Sequence, residues 1–365
     1  MWRPPLVPPQ LRNTQAMDLL WFLIVAVMII IYAVLDGFDL GAGAIQWIVG
    51  RQPAERQLVF RAVGPVWDGN EVWLIAAGGT LFLAFPAVYA SSFSGFYLPL
   101  MIVLWLLMLR GMSIEVRSHL TEPIWHAFFD ALFAGSSALL AVFLGAALGN
   151  VIRGVPLGPA GDFFEPLWTT FTVTPTPGIL DWYTVLIGVL ALIILSSHGA
   201  HFVAVRTSGA VHGRAVRLSA WLWLPMLLLC LAGLTATISV RPGVLNNYAR
   251  WPIGWVIPAI VATSAIAMPY CRRARRDVAA FVASSVFVAA MLGGVAFALY
   301  PVLLRSSNST YPSLTTVNSL APVYGLSIAL RWWTVGFVLA ITYAVWVYRS
   351  LGTKVDNPEP RHDHS

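Results

Sequence analysis

The sequence predicts an all-α integral membrane protein of about nine transmembrane helices, arranged as two four-helix bundles plus one peripheral helix. Three observations predict it. The 365-residue chain is 58% hydrophobic and only 10% charged, whereas soluble domains carry about 25% charged residues. Apolar runs of about 20 residues, each long enough to cross a bilayer as a helix, recur along the whole length. The gaps between these runs are too short to hold a large soluble domain.

The runs fall at approximately 18–47, 66–90, 95–113, 125–150, 181–204, 218–239, 252–270, 278–303 and 332–349. The first is long enough to continue past the membrane as one helix. Residues 1–16 are Pro-rich and polar, without the long apolar core of a signal peptide, and read as a disordered N-terminal extension with Met17 as an alternative start. Residues 17–351 form the transmembrane domain, and 352–365 a disordered polar tail. The 153–181 connection is expected to be irregular, because Pro156, Pro159, Pro166, Pro175 and Pro177 punctuate it. The 305–321 connection is rich in Ser, Thr and Asn. The first eight runs suggest two related four-helix halves, but no residue-level repeat supports this.

Nine crossings put the termini on opposite sides. Of the 22 Lys and Arg residues, fifteen fall in one set of connections, among them Arg51, Arg56, Arg61, Arg110, Arg117 and the Arg272, Arg273, Arg275, Arg276 cluster. The positive-inside rule makes that side cytoplasmic, with the N-terminus outside and the C-terminus inside. The net charge of +6 thus reports topology rather than nucleic-acid binding. Cys230 and Cys271 are far apart in sequence, and a disulfide framework is not indicated.

The stretch Gly64 to Pro86 organises the rest. It opens on the helix-start signal Gly64-Pro65 and enters an apolar run while carrying Asp68, Asn70 and Glu71 between Trp67 and Trp73. Asp68 and Glu71 are three apart and share a helix face. Asp36 and Asp39 repeat that spacing inside the first run, flanked by Gly37 and Gly41, a G-x-x-x-G pattern that allows close helix approach. Ionisable groups inside spans are costly and mark ion or proton paths by default. The simpler alternative is helix capping for Asp68 and a buried arginine partner for the Asp pair. Tryptophans at an interface are usually anchors, so Trp67 and Trp73 draw interest only through the acids between them.

His198 and His201 lie on one face near the cytoplasmic end of the fifth run. Histidine can ligate haem or carry protons, yet neighbours on one helix are awkward axial ligands, and no iron is assigned to them. His362-Asp363-His364 is a weak metal pattern in the tail, and no metal site is expected.

At these motifs the chain resembles subunit II of the cytochrome bd-type quinol oxidases, including the cyanide-insensitive variant. The matching strings are Leu35-Asp36-Gly37-Phe38-Asp39-Leu40-Gly41, Pro65 to Ile75, Ala77-Gly78-Gly79 and Phe93-Ser94-Gly95-Phe96-Tyr97, with Tyr300-Pro301 ahead of the Ser/Thr-rich stretch. The resemblance covers about 17–351. It implies an oxidoreductase of the translocase class that oxidises quinol at the outer face and reduces dioxygen to water with protons from the cytoplasm. It implies a heterodimer in the bacterial cytoplasmic membrane, in which subunit I holds haem b and haem d and this chain has no catalytic centre. In some members subunit II adds a structural quinone or an oxygen channel, and small accessory subunits occur. Carried over by motif, Asp68, Asp36 and Asp39 are proton-route residues and Trp73 walls an oxygen path; by their positions Glu71 joins the proton route and Trp67 the oxygen path or interface, and His198 and His201 receive no role. Two other classes remain at this point: a proton- or cation-coupled secondary transporter, against which no inverted repeat is found, and a purely structural partner of subunit I.

Overall fold

A computed structural model describes residues 9–355 apart from 309, 351 and 353. The chain begins with α1, Pro9–Val49, a single helix of 41 residues. At 1.5 Å per residue it is about 60 Å long, twice the hydrocarbon thickness. It starts inside the segment read as an extension, since proline is tolerated in a first helical turn; residues 1–8 lie outside those described. Then α2, Pro53–Val63, lies across the arginine-rich face. Glu55 folds back to accept from the N–H groups of Arg51 and Gln52, at 2.8 and 3.0 Å, and so caps its first turn.

The expected span 66–90 is two helices: α3, Trp67–Ala84, and α4, Pro86–Gly95. Pro86 causes the break. It has no N–H to continue the ladder, and its ring drives the preceding residue out of helical geometry, leaving Phe85 at φ −133°, ψ 63°. The crossing helices α5, Tyr97–Arg117, α6, Pro123–Arg153, and α7, Trp182–Arg206, follow. Next are α8, Gly209–Val240, the short α9, Asn246–Arg250, a 3-10 turn at Pro252–Trp255, α10, Val256–Arg273, and α11, Asp277–Leu299. Strands β1, Val302–Leu304, and β2, Leu314–Thr315, form a small antiparallel pair within the Ser/Thr-rich connection. The last helix is α12, Val323–Ser350.

Among the described residues, eight helices are long and apolar enough to cross a membrane. α3, within the expected span 66–90, is not among them, because Asp68, Asn70 and Glu71 occupy its first turns. α1, α3, α5 and α6 pack as one group and α7, α8, α10 and α11 as a second, with α1 against α7 at the seam. That seam depends on two glycines. A Cβ on Gly41 would stand 1.8 Å from the Leu195 carbonyl oxygen, and one on Gly199 would stand 2.2 Å from the Ala42 nitrogen. Backbones can touch here only without side chains, the packing mode that compensates for the weak hydrophobic drive between helices in lipid. α12 is peripheral: it packs on α1 and α3 and contributes Leu326 as its buried residue.

On the face opposite the arginine-rich one, the 154–181 connection is irregular yet pinned. Ser91 donates to the Gly161 carbonyl at 2.6 Å, and Phe163 packs edge-on to Phe96 over Gly95. Arg153 at the end of α6 is shared by Glu165, at 3.0 Å, and by Asp181, the N-cap of α7. Burial pushes the Glu165 carboxyl up to about 7, against the pull of Arg153. At the arginine-rich end, Arg56 and Arg117 converge on the buried Asp130 at 2.6 and 2.5 Å. Arg214 lies 2.6 Å from Glu55 and, with the two backbone N–H groups, holds that carboxyl below its usual range.

Candidate functional site

The acids of α1 and α3 meet around one arginine from α5. Asp36, Asp39 and Arg110 are each fully buried. One nitrogen of Arg110, Nη2, lies 2.7 Å from Asp36 Oδ1 and 2.9 Å from Glu71 Oε2. Burial of this kind is costly unless the charges are paired, so the guanidinium is what allows two acids from different helices to sit inside the bundle. Sequence reasoning counted Arg110 as a loop cation. It stands within the apolar string Leu104-Trp105-Leu106-Leu107-Met108-Leu109 and should have been read, like the acids, as an intramembrane charge in want of a partner.

Asp39, on the same face of α1 one turn on, takes a different partner on α3. Its Oδ2 accepts from Asn70 Nδ2 at 2.7 Å, the same nitrogen lies 3.3 Å from the Leu35 carbonyl, and Asn70 Oδ1 accepts from the Tyr348 hydroxyl of α12 at 2.8 Å. Asn70 therefore joins α1, α3 and α12. Three buried polar atoms of the cluster have no hydrogen-bond partner among the described residues: Asp39 Oδ1 and Arg110 Nε and Nη1. Folded interiors usually satisfy such groups with ordered water.

Asp68 and Glu71 do not act as a pair. Glu71 turns inward to Arg110, while Asp68 is exposed. Asp68 lines a cleft of about 490 Å³ between α3 and α12, together with Asn70, Trp73, Trp333, Phe337 and Tyr348. The cleft thus runs from an exposed carboxylate to the residue that holds Asp39. Trp73 is buried and meets Phe337 edge-on at 5.9 Å. Trp67 donates to Glu115 at 3.3 Å and lies against Gly111, fastening α3 to α5.

His198 is a packed core residue. Its Nε2 donates to the Val34 carbonyl at 3.0 Å, its Nδ1 lies 2.8 Å from the Ser284 hydroxyl, and Phe281 stacks on its ring at 5.2 Å. With both nitrogens engaged it does not fit an axial haem ligand. His201 is buried one turn on. No cluster of His, Cys, Asp and Glu with metal-binding geometry occurs among the described residues; His362 and His364 lie outside them.

A multi-pass helical subunit with a buried, arginine-clamped carboxylate cluster open toward one face is what fold and site define. The family model for "Cytochrome bd terminal oxidase subunit II" matches residues 17–351. A probable cytochrome oxidase subunit 2 of Haemophilus influenzae is 32% identical, covering 92% of this chain and 94% of that protein. Cytochrome bd-I ubiquinol oxidase subunit 2 of Escherichia coli is 29% identical, covering 96% and 98%. The solved bd oxidase of Geobacillus thermodenitrificans superposes with a TM-score of 0.72 at 19% identity, over 92% of this chain and 98% of that one, and so shares the fold.

The chain belongs to the cytochrome bd terminal oxidase subunit II family. It is a bacterial membrane protein and a component of a haem-containing oxidoreductase, which implies a partner subunit I.

Proposed function

We propose that this subunit carries protons from the cytoplasm to a site of oxygen reduction held by subunit I. The observation that carries the reading is the buried Asp36–Arg110–Glu71 cluster beside Asp39, reached from the Asp68 cleft through Asn70. Reducing dioxygen to water consumes protons, and hydrocarbon does not conduct them, so the complex needs titratable groups and water reaching one aqueous face. One guanidinium faces three carboxylates here. Two of the three negative charges have no fixed cation opposite them, and exchangeable protons can balance them. Asp68 is the entry group and Glu71, Asp39 and Asp36 are the inner ones.

Without the buried Arg110, fourteen of the 22 Lys and Arg residues support a cytoplasmic arginine-rich face, with the N-terminus outside and the C-terminus inside. The cluster then opens to the side from which protons are drawn. Subunit I supplies haem b, haem d and the quinol site, and this chain has no catalytic centre of its own. Trp73 walls the cleft toward lipid, where an apolar gas would enter. A second, almost wholly apolar cavity of about 730 Å³, lined by Tyr32, Leu148, Leu190, Cys230, Tyr248 and Met291 among others, suits the chain of a structural quinone. Family membership leaves no support for the transporter alternative.

The test is Asp68→Asn, which keeps the shape and removes the titratable group. The assembled complex should retain its haem spectrum while quinol-oxidase turnover falls at least about tenfold, or about 1.4 kcal/mol on the limiting step. Parent-like turnover from about pH 6 to 8, the range a physiological entry group must serve, would leave Asp68 as an exposed first-turn carboxylate of α3 and favour a purely structural subunit.

A further inference from the structure

The hydrogen bonds that join α12 to the cluster have a direction. Asn70 Nδ2 faces the Asp39 carboxylate at 2.7 Å and the Leu35 carbonyl at 3.3 Å, and both are acceptors. Asn70 Oδ1 faces the Tyr348 hydroxyl, which donates to it at 2.8 Å. All three partners agree on one orientation of the amide, and it is the orientation that suits an ionised Asp39. Protonation of Asp39 on its unpartnered Oδ1 leaves Oδ2 able to accept from Asn70, but turns a charge-assisted bond into a weaker neutral one. The hold of the amide on Asp39 then loosens, and with it the Tyr348 bond on the other end of the same amide.

We propose that Tyr348 is a positioning residue for the proton route: by donating to Asn70 it sets the amide that holds the Asp39 carboxylate, and it passes the protonation state of Asp39 to α12. This rests on the reading of Asp39 as a proton-route member. The other charged groups acting on Asp39 are Asp36 from α1, Glu71 from α3 and Arg110 from α5. None of these reaches α12; Tyr348 does. Its helix is the least embedded of the eight long apolar helices among the described residues, with Leu326 at the far end as its buried residue. The same helix forms one wall of the Asp68 cleft through Trp333, Phe337 and Tyr348. A change in the Tyr348 bond therefore acts on the wall of the entrance, coupling occupancy of Asp39 to access from Asp68.

Tyr348→Phe in the purified complex of both subunits tests the proposal, with Asp39→Asn as the reference. The infrared band of the Asp39 carboxyl, assigned by its loss in Asp39→Asn, should move in Tyr348→Phe. The pH profile of turnover should shift by about half a unit or more, the scale of one net hydrogen bond. A tyrosine that merely fastened α12 would lower complex yield or thermal stability and leave band and profile alone; that result overturns the proposal. Asn70→Leu, which removes the amide, should displace the profile at least as far as Tyr348→Phe, and a smaller displacement also overturns it. If Asp39→Asn itself turns over like the parent, the proton-route reading fails and takes this inference with it. A slow Asp39→Asn beside an unaltered Tyr348→Phe sinks the inference alone.

Discussion

Arg110 shows how much one buried residue can decide. Its guanidinium bridges Asp36 on α1 and Glu71 on α3 from α5, so three helices share one charge balance. Removing one partner of a buried pair leaves the other charge uncompensated, at a cost of about 3–5 kcal/mol. Arg110→Met should therefore abolish or sharply reduce assembly of the complex, measured as haem content of the purified membrane fraction. Combining it with Asp36→Asn should recover part of the yield, because the stranded charge is gone. Equal yields of the single and double variants would show that the pairing is not what holds the three helices. Asp36, Asp39, Asp68 and Glu71 were legible in the sequence because a carboxylate inside an apolar run is conspicuous. Arg110 was passed over as one more topological cation. Tyr348 was missed because an aromatic near a helix end reads as an interfacial anchor. Nothing local in the sequence says that its hydroxyl meets a residue 278 positions earlier.

The helices themselves were legible from length and hydropathy, and Gly37 and Gly41 foretold a close approach on α1, though not that α7 and its Gly199 would be the neighbour. The split of α3 from α4 was available in Pro86 but was overrun by the apolar pattern that continues past it. The ion pairs at the helix ends were not available. Arg56, Arg117 and Asp130 lie on three different elements, and so do Arg153, Glu165 and Asp181, and only folding brings them together. The second of these clusters gives the 154–181 connection a pH dependence. Burial raises the Glu165 carboxyl to about 7, above its ordinary value of 4.5. Its contribution to holding the loop is thus fully present below the ordinary value and is lost as pH rises through about 7. Beyond its intrinsic rise with pH, amide exchange in the loop should quicken between about pH 4.5 and 7, and Glu165→Gln, which stays neutral, should flatten that response. An equal response in the variant would place the titrating group elsewhere.

At the scale of the whole molecule, the arrangement divides labour. The described residues offer a carboxylate cluster near one face, on which the proton-delivery proposal rests, and a His198 whose two ring nitrogens are both engaged. Expressed without subunit I, the folded chain should bind no stoichiometric haem. A tightly bound haem lost on His198→Ala would mean that His198 gives up its Val34 and Ser284 bonds to ligate iron. A reporter fused after Ser365 should be active only in its cytoplasmic form if the excess of Lys and Arg marks the cytoplasmic side, as proposed. Activity of a periplasm-dependent reporter there would invert the topology and detach the Asp68 cleft from its proton source.

The most direct measurement of the central claim follows proton uptake itself. The two-subunit complex is placed in vesicles with a pH-sensitive dye on the arginine-rich side, and uptake is timed during a single burst of oxygen reduction. In the parent, uptake should appear on that side and keep pace with haem reoxidation. In Asp39→Asn, with the haem spectrum intact, it should slow at least about tenfold, the scale on which losing one positioned proton-transfer group is felt. Uptake from that side at the parent rate in Asp39→Asn, or uptake from the opposite side in the parent, would contradict the account.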